Sequence, residues 1–396
     1  MTGLMQGFPP PPEGRVTLAN WRTPPFNRWA FQHVRELVPS ADIANDPNRV
    51  RTLPQASIDL SGVRVPDGDG ALSFDAFLER TGTDALVVLH RGRLVYEHYA
   101  NAMTAATPHI LMSVSKSVLG LLVGILAGRG ELDPEAPVTA YVPEVKGTAY
   151  AGARLRDLLD MRAGVLFDED YLATGGAIIE YRKATLWEPL APGQAPSDLR
   201  SFYATLTERD GAHGRPFHYI SINTDLLGWA IERATGRRYA DLVGELLWRP
   251  MGAERSAYIT VDRLGAPRCA GGLCCTPRDL ARLGQVFAEG GGGIVPEGWL
   301  DDIVSGGDRQ AWTQGAGAEN YPGLPMCYRS LWYVLERTAP MAFAIGVFGQ
   351  SLYVDRANRV VMAKVSSQAL PIDQELKMLT IRAAEAVRDF LVKSDG

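Results

Sequence analysis

From Val118 onward, apolar residues recur at Leu121, Leu122, Ile125 and Leu126. That i, i+3, i+4 spacing predicts a buried helix ending near Gly128 to Gly130. Just upstream, ALVVLHRGRLVYEHY (residues 85–99) holds two β-rich runs around Arg91-Gly92, a hairpin pattern. A second hairpin is expected in SLYVDRANRVVMAKVSS (residues 351–367), with Arg356 to Asn358 as its turn, followed by a terminal helix from about Glu375 to Val392. Strands toward both ends with helices between them predict an α+β fold in which one sheet is closed by both ends of the chain. The middle, about 150 to 264, reads as mostly helical, and Gly236 is a C-cap candidate for TDLLGWAIERATG at 224–236.

Two stretches lack periodicity. The first forty or so residues, with PPPP at 9–12 and TPPF at 23–26, read as an extended, proline-stiffened arm pinned to the body by Trp21 and Trp29. Asp168 to Arg215 reads as a long lid loop, whose Tyr171, Tyr181 and Trp187 serve either a packed lid or plain hydrophobic anchoring. The expected division is therefore an α/β domain from 1–150 and 265–396, including an arm at 1–40. A mostly helical domain at 151–264 carries the lid at 168–215.

Composition narrows the function classes. The 396 residues are 46% hydrophobic and 21% charged, enough for a substantial core, and the formal net charge of -5 offers no basic field, so nucleic acid is not an expected partner. No His-Glu-x-x-His occurs, and His213 and His218 lack neighbours at ligand spacing, so neither a metal nor a cofactor is expected. Gly290 to Gly293 reads as a turn, because no Lys-Ser/Thr follows to make a phosphate loop. Cys269, Cys274, Cys275 and Cys327 are too few and too clustered for a disulfide framework, so reduced thiols are expected. The N-terminal MTGLMQGFPPPPEGRV has neither a basic region nor an apolar core, and no apolar segment reaches about 18 residues, which gives a cytoplasmic expectation with no membrane partner. A homodimer is left open.

The chemistry begins at LMSVSKSVLG, residues 111–120. Ser113 and Lys116, three apart, share one face of the predicted helix. Burying that face disfavours an ammonium, so the lysine is either paired or a base. A serine hydroxyl becomes a nucleophile when a base within about 3 Å takes its proton. At a helix start, Ser113 would also have free N–H groups and the positive end of the dipole beside it. The competing reading is a capping serine with a snorkelling surface lysine. Farther on, FHYISINTDLLGWAIERATG (217–236) places Tyr219, and Ser221 two residues later, before an apolar helical run.

Ser113-Val-Ser-Lys116, then Tyr219-x-Ser221 before a Leu-Leu-Gly helix, then AGGLCCTPRDLARLGQVF at 270–287, resembles the penicillin-recognising serine hydrolases, a superfamily of class C β-lactamases, D-Ala-D-Ala carboxypeptidases and family VIII-type esterases. PPFNRWAF at 24–31 and ILMSVSKS at 110–117 resemble its 6-aminohexanoate-dimer hydrolase branch. The resemblance runs from about Trp21 to the last strands and implies a β-lactamase/transpeptidase-like fold. It implies Ser113 as nucleophile, Lys116 as its base, and Tyr219 as the acid/base serving the leaving group, with the tyrosine's pKa held down by the lysine cation. Ser221 stands where relatives place an asparagine, giving it a hydrogen bond to Lys116 or to substrate. The Lys-Thr-Gly motif expected on an edge strand within 341–355 is absent. Ala344 and Ile345 precede Gly346, so carboxylate anchoring of a penicillin type is lost, while the Val347 N–H still completes an oxyanion hole with that of Ser113. Tyr171 and Trp187 take places equivalent to substrate contacts in that branch. Arg182 either meets a negatively charged acyl ligand or is, with Glu180 and Lys183, a solvated lid charge.

The expected activity is cleavage of small carboxylic esters or amides through an acyl-Ser113 intermediate. Acyl transfer to an alcohol or amine, or a non-catalytic binding role on the same fold, are the alternatives.

Overall fold

The computed structural model describes residues 3–394. Its central sheet has seven antiparallel strands in the order Arg93–Tyr99, Thr83–His90, Val360–Ser366, Gln350–Asp355, Met341–Gly346, Trp332–Leu335 and Met326–Arg329. Strands from near the two ends of the chain meet where Val87 faces Ala363, so long-range pairing seals the sheet between its second and third strands. Both expected hairpins are present. Arg91 (φ 49°) and Gly92 (φ 78°) adopt the left-handed pair that lets a two-residue turn follow the strand twist. The second turn is tied by Asn358 N–H to Asp355 Oδ1 at 2.9 Å.

The buried helix spans Val114–Gly128, and the terminal helix Gln374–Ser394. Small residues on the first of these let neighbouring backbone come close. Ser117 Oγ donates to Leu331 O at 2.6 Å, and a Cβ on Gly120 would stand 2.3 Å from Ser330 O. The helical penalty of glycine, about 1 kcal/mol, is thus offset by a contact that no other residue permits. The helix Ile222–Thr235 ends at Gly236, whose φ of 67° closes it as a left-handed cap.

A four-stranded sheet, Ser40–Ile43, Ala257–Thr260, Leu273–Cys275 and His109–Ile110, lies apart from the central one. It delivers the chain to the start of the buried helix: Leu111 N–H donates to Leu273 O at 2.8 Å, and Met112 turns through φ 47° immediately before Ser113.

Three expectations change. The N-terminal arm is not extended; it folds into turns and short helices at Pro12–Gly14, Asn27–Ala30 and Val34–Glu36, because Trp21 and Phe31 bury themselves and draw it onto the body. The segment 168–215 is not a loop throughout: it contains helices Ala177–Ala184 and Leu199–Tyr203, the latter capped by Asp198 accepting from Ser201 N–H. Met341–Gly346 is not an edge strand. Trp332–Leu335 pairs with its first half only, from Met341 to Phe343, so Ala344, Ile345 and Gly346 keep one unpaired side. Among the described residues no helix is long and apolar enough to cross a membrane.

Candidate active site

Ser113 is the N-cap residue of the buried helix, and its own side chain caps nothing. The hydroxyl is thereby left for chemistry. Lys116 Nζ lies 2.9 Å from Ser113 Oγ, 2.9 Å from Ser221 Oγ and 2.8 Å from the carbonyl oxygen of Ala270. The side chain is fully buried, and burial drags its pKa down to about 7, with Glu169 opposing and Arg268 reinforcing that shift. A neutral amine has two N–H donors and one lone pair. In the neutral form, with Ala270 O accepting the first donor and Ser221 Oγ the second, the lone pair faces Ser113 Oγ; in the ammonium form all three oxygens accept.

That polarity is set from behind. Glu169 accepts from the backbone N–H and hydroxyl of Ser221 and, at 2.8 Å, from Tyr171 Oη. With its proton committed to Glu169, Ser221 presents only an acceptor to Lys116. Glu169 was not among the expected site residues, and its only sequence signal is its place two residues before Tyr171. Tyr171, in turn, gives its hydroxyl proton to Glu169 and not to the cavity.

Ala270 is held by a second buried group. Asp225 accepts from Ala270 N–H at 2.7 Å and pairs with Arg268, whose guanidinium also meets Tyr181 Oη. The Ala-Gly-Gly sequence is required here: a Cβ on Gly271 would meet Trp187 at 3.2 Å, and one on Gly272 would meet Thr260 Oγ1 at 2.2 Å. Trp187, from the lid, is buried with Nε1 donating to Thr260 Oγ1 at 3.2 Å and stands edge-on to Trp21 of the arm at 5.1 Å.

Tyr219 packs among aromatic rings, with Tyr333 and Tyr328 centroids at 6.4 and 6.5 Å, and Lys116 Nζ lies 4.9 Å from its ring centre. Burial raises its pKa well above 10; the neighbouring Tyr171, Tyr328 and Glu169 add to this, and the Ser113 hydroxyl beside it opposes. The expectation of a tyrosine held down by a lysine cation is therefore corrected. The lysine is itself poised near neutrality, so Tyr219 rests as a protonated phenol, a donor.

Gly346 brings the strand close to the residues before Ser113, since a Cβ there would sit 2.6 Å from Leu111 O and 3.0 Å from Met112 Cβ. Among the described residues no hydrogen bond takes up the N–H of Ser113 or of Val347. Both residues border the same two cavities. One, of about 270 Å³, is walled by Phe217, Tyr219, Tyr333 and Ile345; the other, of about 470 Å³, by Met112, Trp187 and Arg182. Arg182 is 6% exposed, so it is not a solvated lid charge. Its Nη2 donates to Tyr171 O at 2.9 Å.

The chain is similar to known proteins along most of its length. The family described as Beta-lactamase matches residues 73–386. The chain is 35% identical over 364 residues to the 6-aminohexanoate-dimer hydrolase of Paenarthrobacter ureafaciens, covering 91% of this chain and 90% of that protein. It is 26% identical to esterase EstB of Burkholderia gladioli over 233 residues, 52% of this chain and 56% of that one. Among solved structures, a Bacillus anthracis protein named as a candidate 6-aminohexanoate-dimer hydrolase superposes with a TM-score of 0.88 at 27% identity, covering 97% of this chain and 99% of that one. EstCE1, described as a hydrolase with promiscuous acyltransferase activity, shares the fold at a TM-score of 0.61 and 16% identity, over 79% of this chain and 98% of its own. With the family match spanning most of the chain and a relative above 30% identity along nine-tenths of it, this protein is a hydrolase of the beta-lactamase family.

Proposed function

We propose that the protein cleaves small carboxylic amides or esters through an acyl-Ser113 intermediate, by the same chemistry as the 6-aminohexanoate-oligomer hydrolases and carboxylesterases it resembles. The observation that carries this reading is the three-way hold on Lys116 Nζ, which leaves its lone pair facing Ser113 Oγ.

In the forward step Ser113 Oγ attacks the substrate carbonyl carbon while its proton passes to Lys116. The new O–C bond displaces the carbonyl pair onto oxygen, where the N–H groups of Ser113 and Val347 receive it. Collapse breaks the C–N or C–O bond, and Tyr219 gives its phenolic proton to the departing amine or alkoxide. The Lys116 ammonium then restores the Tyr219 proton. Water repeats the sequence on the acyl-serine ester and frees the acid. Ile345 and the aromatic wall around Tyr219 supply apolar contact to the leaving group. The rings there also suit an organic acceptor, which supports acyl transfer to an alcohol or amine as the second reading.

Brief exposure to a short-chain p-nitrophenyl ester, followed by intact-mass spectrometry, tests the nucleophile. The wild type is expected to gain one acyl group or to release nitrophenol quickly, and Ser113→Ala to do neither. Equal reaction of both proteins, or of neither, sinks the reading. Adding a primary alcohol during turnover and looking for a new ester separates transfer from hydrolysis.

A further inference from the structure

Tyr219 borders only the smaller cavity. If Tyr219 protonates the leaving group, that group departs into the smaller cavity, and the acyl chain occupies the larger one. The acyl-side role of the larger cavity thus rests on the acyl-Ser113 reading, with Tyr219 as its proton donor.

The larger cavity is lined by three arginines, Arg22 from the arm, Arg182 from the lid and Arg268 from the Ala-Gly-Gly turn, together with Glu169 and Glu188. Two of the arginines are in ion pairs and one carboxylate is held by hydrogen bonds. Arg22 is 2.8 Å from Glu188, Arg268 is paired with Asp225, and Glu169 is engaged by Ser221 and Tyr171. Arg182 is different. Though 6% exposed, it is in no ion pair among the described residues, and its hydrogen bonds go to backbone carbonyls, those of Tyr171 at 2.9 Å and Asp170 at 3.5 Å.

Glu188 and Glu169 act on Arg182 only from beyond ion-pair distance, and a buried guanidinium with no anion in direct contact is stabilised by one that binds there. Arg22 Nε and Arg268 Nε are also buried with no hydrogen-bond partner. Crowding is felt within the group, since burial pushes Arg22 down to about 10 and its neighbours Arg182 and Arg268 push it further in the same direction. Leu172, Ile178 and Trp187 on the remaining walls offer apolar surface for a methylene chain.

We infer that the larger cavity is an acyl-side carboxylate site: the preferred substrates are amides or esters whose acyl chain ends in a carboxylate, held by Arg182 with Arg22 and Arg268 around it. The substrate class is thus the half-amides and half-esters of straight-chain dicarboxylic acids. An acyl chain ending in an ammonium is rejected by the same charges.

Three p-nitrophenyl esters of equal length decide it: the mono-ester of adipic acid, the hexanoate and the 6-aminohexanoate. Wild-type kcat/KM is expected to be at least about tenfold higher for the adipate ester than for the hexanoate, and lowest for the 6-aminohexanoate. In Arg182→Gln the adipate-to-hexanoate ratio is expected to fall about tenfold, in line with loss of one charge-assisted contact. A wild type that favours the neutral or the ammonium-ended ester overturns the inference, whatever becomes of the variant.

Because Arg182 also braces the lid, a binding measurement on Ser113→Ala stands beside the kinetics. Calorimetric binding of adipamate, with hexanamide bound at least about tenfold more weakly, is expected. Absence of adipamate binding also overturns the carboxylate site. If adipamate binds yet no ester acylates the wild type, the anion site stands and the acyl-serine reading is what fails.

Discussion

At Ser113, Lys116 and Ser221 the direction of every hydrogen bond follows from which groups can only accept. Ala270 O and the Glu169 carboxylate fix the two ends, and the lone pair of a neutral Lys116 is left facing Ser113 Oγ. With Lys116 poised at about 7, the base form grows as pH rises through neutrality. For an activated ester, kcat/KM should therefore climb with an inflection near pH 7, and Lys116→Ala should lose that inflection along with at least about a hundredfold in rate. Glu169 raises the lysine's pKa by stabilising the ammonium. In Glu169→Gln the inflection should move to lower pH even as kcat falls, because Ser221 loses the acceptor that orients it. A pH profile that does not move would assign Glu169 a structural role only.

At the level of elements, the site depends on a strand end reaching a helix start. Gly346 permits that approach, and an added methyl would meet the carbonyl oxygen of Leu111, which backbone cannot yield cheaply. Gly346→Ala should push the Val347 N–H out of line and lower kcat by about a hundredfold, the scale of losing one oxyanion donor. Its overpacking cost, about 1–3 kcal/mol, should appear as a smaller midpoint shift in urea. Full activity would remove Val347 from the site. The elements readable in the sequence are those whose signal is local: the buried helix from its apolar spacing, the hairpin at Arg91-Gly92, the cap at Gly236. Ser113 and Lys116 are readable as a short motif at a helix start, whereas Tyr219 takes its expected role from the family resemblance. His109–Ile110 forms a strand only because it finds Leu273–Cys275 across the chain, which pairs on its other side with Ala257–Thr260. Helix Ala177–Ala184 is tied down by Tyr181 reaching Asp225 and Arg268, and Glu169 acquires its role from Ser221, fifty-two residues away. Long-range partners of that kind leave no periodicity.

Across the whole molecule, the same burial that tunes the site sets how stability responds to pH. Lys364 lies on strand Val360–Ser366 of the central sheet with 0% exposure, bonded to Ser366 Oγ and, at 3.3 Å, to Gly349 O. Burial lowers its pKa to about 7, opposed by Asp84, which itself faces His109 at 3.3 Å. Lys116 and Lys364 thus both have a folded pKa near 7, against about 10.4 for an exposed lysine. Between those limits the unfolded chain carries protons that the folded chain lacks, so stability rises with pH, by about 1 kcal/mol per pH unit for each lysine. The rise does not continue indefinitely. Cys269, Cys274, Cys275 and Cys327 are buried with raised pKa values, and above about 8.5 the unfolded thiols lose protons that the folded ones keep, which works in the opposite sense. Denaturation midpoints should therefore increase from pH 7 to about 8.5 and then flatten or fall. Lys364→Met should cut the slope in that window by about 1 kcal/mol per pH unit while leaving the kinetic inflection near pH 7 in place, since that belongs to Lys116. A variant with an unchanged slope would mean that Lys364 keeps its proton in the fold, with Asp84 as its counter-charge.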